Sequence, residues 1–183
     1  MRLLIAIVGI SIAASSAAEQ KSSEQQIAET LRALPEALRD GAAVIGYDSN
    51  GESTVLRAGS NEMICWADDP NLSDARGRFY VNCFPKSLEA FENRRSELSV
   101  DTEEALWKIL DAEVKSGKLN VPKFAVRYTL RAHSAEAALH LTVIHMPYAT
   151  AETLDGISTE PSNTRPWLMS ADTVGAHIML PGL

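Results

Sequence analysis

The chain has 183 residues, 45% of them hydrophobic and 22% charged, with 17 basic against 24 acidic side chains and a formal charge of −7. That apolar fraction excludes a disordered polymer, and the negative balance argues against nucleic acid or an anionic membrane surface as partner. A chain of this length is one ordinary domain, able to bury about two thirds of the surface it exposes when unfolded.

At the start, Arg2 precedes an apolar run from Leu3 to Ala14 and the small residues Ser15-Ser16-Ala17-Ala18. This is the pattern of a signal peptide over residues 1–18, removed on export to the periplasm or the exterior. The run is shorter than the ~20 residues a spanning helix needs, and no later segment approaches that length without charges, so no membrane span is expected in the mature chain.

Residues 19–40 form an N-terminal amphipathic helix by pattern: Ile27, Leu31, Leu34 and Leu38 recur at steps of four, three and four, with Pro35 weakening its end. It either docks on the domain or serves as a partner-binding arm, docking being the default. Ala42–Tyr47 and Ser53–Arg57 then read as two strands joined across Asp48-Ser49-Asn50-Gly51, a sequence that tolerates the positive φ of tight turns.

In an exported chain Cys65 and Cys83, the two cysteines of the sequence, are expected to form one disulfide. Trp66, Phe79, Tyr80 and Phe84 sit in or beside the loop it closes, and their rings are expected to cover the sulfurs as a satellite core. The acidic stretch Asp68-Asp69-Pro70-Asn71 to Asp74 offers oxygen ligands for Ca²⁺, but it lacks EF-hand spacing and reads more simply as a turn.

Two helices follow. Ser87–Leu98 aligns Leu88, Phe91 and Leu98, its charged residues Glu92, Arg94, Arg95 and Glu97 reading as a solvated face. The second starts at Asp101 as cap, with Glu104 in capping-box spacing, carries Leu106, Ile109, Leu110 and Val114, and ends near Gly117. Extended segments return at Phe124–Leu130, Leu139–His145 and Ala176–Leu180, with a long surface loop from Pro147 to Asp172. Residues 41–183 are therefore expected to be a single α+β domain: a largely antiparallel sheet with two or three helices and one disulfide.

The four histidines are His133, His140, His145 and His177. His140 and His145 are five apart on one strand and face opposite ways. His140 with His177 on a neighbouring strand is the pair able to share a face, with Asp172 as a third metal ligand; satisfaction by backbone carbonyls is the simpler account, because no metal-spacing motif accompanies them. No G-x-S-x-G, S-x-x-K, H-E-x-x-H, P-loop or G-x-G-x-x-G occurs, so no cofactor and no nucleophile is indicated.

In two places the chain resembles a family of uncharacterised exported bacterial proteins. Val55-Leu56-Arg57-Ala58-Gly59-Ser60-Asn61 through Cys65 is similar to that family's VLR-x-G-[ST]-N stretch ending in cysteine, with Glu62 and Met63 where a Gly-aromatic pair is usual. Leu139-His140, Met146-Pro147-Tyr148-Ala149-Thr150 and Gly175-Ala176-His177-Ile178-Met179-Leu180-Pro181 are similar to its later motifs, with Ala138 in place of a proline. The resemblance implies export and a cysteine pair, and it singles out Arg57, Asn61, His140, Tyr148 and His177 as candidate binding residues. The expectation is non-catalytic binding of a small molecule or a partner protein at the sheet end near His140, Tyr148 and His177; the rival is an exported hydrolase or metal-dependent enzyme using His140 and His177.

Overall fold

A computed structural model describes residues 21–72 and 79–182; the signal-peptide reading and Asp74 lie outside the described residues. Eight strands form one sheet: β1 (Ala43–Tyr47), β2 (Ser53–Arg57), β3 (Met63–Trp66), β4 (Phe79–Pro85), β5 (Ala125–Ala132), β6 (Leu139–His145), β7 (Trp167–Met169) and β8 (His177–Pro181). Their order across the sheet is β2-β1-β3-β4-β5-β6-β8-β7, and every pairing is antiparallel except the parallel β1–β3. The fold is α+β with one disulfide, as the sequence predicts. The described residues contain more helices than the two or three expected: α1 (Ser23–Leu31), α2 (Glu36–Arg39), α3 (Glu89–Glu97) and α4 (Glu103–Lys115), besides a helical segment at 70–72.

Both faces of the sheet are covered. On one, Ile27, Leu31, Leu34 and Leu38 of the N-terminal helices pack against Val44, Met63, Val81, Leu130 and the disulfide. Pro35 divides the single predicted helix, acting as the N-cap residue of α2. Leu34 is 1% exposed, so the apolar stripe is core and is not a free partner-binding arm. Gln26, on the same helix, clamps β1 by donating Nε2 to the Tyr47 carbonyl and accepting from the Tyr47 N–H, each at 2.9 Å.

On the other face, Leu88, Phe91 and Leu110 are fully buried with Phe84 and Ile64 beneath α3 and α4. The cap of α4 is Thr102, one residue beyond the predicted Asp101, its hydroxyl accepting from Ala105 N. Arg94 reaches from α3 to grip Glu113 of α4 with two N–H groups at 2.8 Å, fixing the helices side by side.

Cys65 and Cys83 are directly opposed on β3 and β4, joined, and fully buried. The sulfurs lie among the residues under α1, whereas Trp66 and Phe84 meet edge to face at 4.8 Å on the other side of the sheet. The expected ring cover over the sulfurs is thus corrected for Trp66 and Phe84, which alternate in direction with Cys65 and Cys83 and cannot share their face, whereas Phe79, four residues before Cys83, is buried in the same cluster as the disulfide. The Asp68–Asn71 stretch leads into a helical segment at 70–72 rather than forming a simple turn, with Asp68 accepting from Tyr80 N and Asp69 from Asn71 N.

Candidate functional site

The first motif is architectural. Arg57 donates to the carbonyls of Arg39 and Ala42, and Asn61 donates to the Leu38 carbonyl while accepting from Met63 N. Between them the chain crosses from β2 to β3 so close to β1 that a Cβ on Gly59 would collide with the Ala43 backbone. These side chains tie α2 to the sheet edge.

Tyr148 lies beyond β6, its hydroxyl donating to Asp111 Oδ1 at 2.8 Å and its backbone N–H to the Thr173 carbonyl. His140 is exposed. Strand register places it on the α1 side of the sheet, opposite Leu130, whereas His177 is on the α3–α4 side, opposite His145. The two histidines cannot share a metal or act as a catalytic couple, because the sheet separates them. Among the described residues no group of three or more His, Cys, Asp or Glu side chains is arranged to hold a metal ion.

His177 instead stacks on His145, with ring centroids 5.5 Å apart. Both face a cavity of about 150 Å³ whose wall includes Tyr80, Arg95, Trp107, Arg127, Leu141 and Met179. Of the five residues singled out from sequence, His177 alone lines it. Tyr80, Arg95 and Arg131 also border a broader groove beside α3.

The centre of this polar cluster is Glu92, 0% exposed. Its Oε1 accepts from Arg127 Nη1 at 3.1 Å, and its Oε2 accepts from Arg95 Nε at 3.1 Å and Nη2 at 2.8 Å. Burial alone would raise the carboxyl pKa, but Arg127 and then Arg95 outweigh it and hold Glu92 at about 2. Glu92 is ionised, not solvated as the sequence suggests. It occupies the position four residues after Leu88, and Arg95 the position seven after, which an apolar stripe would claim. An acid and a base at those two stripe positions were the available signal.

Burial, reinforced by the Arg127 charge, pushes the His145 pKa down to about 3. His177 is lowered by burial to about 4, against an opposing hydrogen bond to the Gly175 carbonyl. Both rings are neutral at ordinary pH. His177 Nδ1 lies 2.7 Å from the Gly175 oxygen, which can only accept, so Nδ1 carries the proton and Nε2 is an acceptor. Two guanidiniums against one carboxylate leave one positive charge in excess.

Arg127 is only 8% exposed, yet its Nε finds no acceptor among the described residues; His145 Nε2 is likewise unpartnered, 3.7 Å from Glu92 Oε1. Buried N–H groups are almost always satisfied, and leaving a charged one unpaired is costly. The sequence hid this site because Arg127 and Thr129 alternate with apolar neighbours in the manner of a solvent-facing row.

No family model, curated relative or solved structure matches the chain.

Proposed function

We propose that this chain is an exported small-molecule-binding protein, periplasmic or secreted, whose ligand is a compact anion held in the cavity between the sheet and helices α3 and α4. The observation that carries the reading is Arg127: a buried guanidinium on a cavity wall, one edge engaged by Glu92 and the Nε–H of the other unpartnered. An oxyanion there would complete the donor set with charge-assisted hydrogen bonds and offset the excess positive charge. The neutral histidines add hydrogen-bonding capacity without further charge. Export rests on the N-terminal pattern, the disulfide and the motif resemblance, and it gives such a domain access to external solutes.

The test is a thermal shift on the purified protein with butyrate or phosphate against the cation choline. A ligand present at a hundred times its dissociation constant adds about 2.7 kcal/mol, or roughly 5–10 °C in a domain of this size. An anion is expected to raise the melting temperature, with Arg127→Lys, which keeps the charge but loses the fork, losing most of that rise. Indifference to both anions, or a rise with choline, overturns the reading.

A further inference from the structure

We propose that the anion is a short-chain hydroxy acid, its carboxylate held by the free edge of Arg127 and its hydroxyl donating to His177 Nε2; this rests on the anion-binding reading above. Arg127 Nη1 is committed to Glu92, which leaves the Nε–Nη2 edge, the side of a guanidinium that meets a carboxylate with two parallel N–H groups. A bare carboxylate has acceptors only and brings no proton to an acceptor on the protein. The same cavity, however, has an acceptor nitrogen on its wall: the Gly175 carbonyl holds the His177 proton on Nδ1, so Nε2 presents a lone pair. Matching it requires a donor on the ligand.

The donor is a hydroxyl and not an ammonium. Arg95, Arg127 and Arg131 line the cavity, outnumbering the two carboxylates near it, Glu92 and Glu103. Glu92 accepts three N–H bonds from arginines, and Glu103 Oε1 accepts from Trp107 Nε1 at 2.9 Å and Ser170 Oγ at 2.7 Å. An ammonium would add a fourth cation to three guanidiniums set against the two carboxylates Glu92 and Glu103, whereas a hydroxyl satisfies the lone pair at no charge cost. A cavity of about 150 Å³ takes an occupant of about six or seven heavy atoms. Leu141, Met169 and Met179 on its wall suit a short aliphatic stub.

Isothermal titration of the purified protein with butyrate, 2-hydroxybutyrate, 3-hydroxybutyrate, 3-aminobutyrate and methyl 3-hydroxybutyrate decides it. At least one hydroxybutyrate is expected to bind about tenfold more tightly than butyrate, the value of one well-made hydrogen bond. The amino acid and the ester are expected to bind more weakly than butyrate. In His177→Phe the hydroxyl advantage is expected to vanish with butyrate affinity retained. In the wild type the ¹⁵N resonance of His177 Nε2 is expected to move with the hydroxy acid and not with butyrate, a readout independent of whether the variant folds. Butyrate binding as tightly as both hydroxybutyrates, an unmoved Nε2 resonance, or aminobutyrate binding best would overturn the hydroxy-acid assignment and leave the anion reading standing. Failure of every acid to bind would overturn both.

Discussion

Glu92 shows how one ionised side chain organises its surroundings. It satisfies N–H groups from Arg127 and Arg95 with no solvent exposure, so removing its charge strands two guanidiniums. Glu92→Gln is expected to cost about 3 kcal/mol or more in urea unfolding, the penalty of breaking a buried ion pair on one side. The histidines beside it make stability pH-dependent. Their folded pKa values, about 3 for His145 and about 4 for His177, lie below the ordinary 6.5, so between those limits the unfolded chain binds the extra protons. Stability therefore falls as pH drops from 6.5, by about 1.4 kcal/mol per pH unit for each proton taken up, and the histidine contribution stops changing near pH 3. Glu92, with a folded value of about 2 against 4.5, adds a second loss as pH falls through that interval. Melting temperature against pH is expected to slope less steeply between 6.5 and 4 in His177→Gln; an unchanged slope would place the titration elsewhere.

At the scale of elements, α3 is the informative case. Its stripe residues Leu88 and Phe91 are fully buried, as periodicity predicts, but the stripe continues through Glu92 and Arg95 above a sheet face that carries Arg127, His145 and His177. A polar row on a helix reads as solvated only when nothing opposes it, and no local pattern reports what does. The turn before β8 bears on the same cavity. A Cβ at Gly175 would collide with the ring of Trp107, a cavity-wall residue whose indole N–H is held by Glu103. Gly175→Ala is expected to displace that ring, costing about 1–3 kcal/mol by overpacking and shifting tryptophan fluorescence. Melting and emission unchanged from wild type would show the contact to be slack.

For the whole molecule, the disulfide joins β3 to β4 at the centre of the sheet, under α1, with sequence separation 18. Replacing both cysteines by alanine is expected to cost about 3 kcal/mol, or roughly 6–12 °C in melting temperature. Because both sulfurs are fully buried, reductant is expected to act at the rate of global unfolding and not by direct attack on the native state. Reduction far faster than unfolding, followed by mass spectrometry of alkylated protein, would refute this.

What could be read without coordinates follows from local chemistry. Ile27 through Leu38 marks a helix by spacing, Asn50-Gly51 marks a turn by its tolerance of positive φ, the alternation at Phe124–Leu130 and the run at Leu139–His145 mark strands, and two cysteines in one chain suggest each other. The short strands β3 and β7, and β4 within the expected disulfide loop, were not legible, since their hydrogen bonds come from distant segments. The candidate site was legible only at His177. Its other members, Glu92, Arg95, Arg127 and His145, come from α3, β5 and β6, and they meet because helices cover the second face of an antiparallel sheet, turning a row that would face water into an interior. Periodicity tells which residues share a face; only the packing of one layer on another decides whether that face is wet.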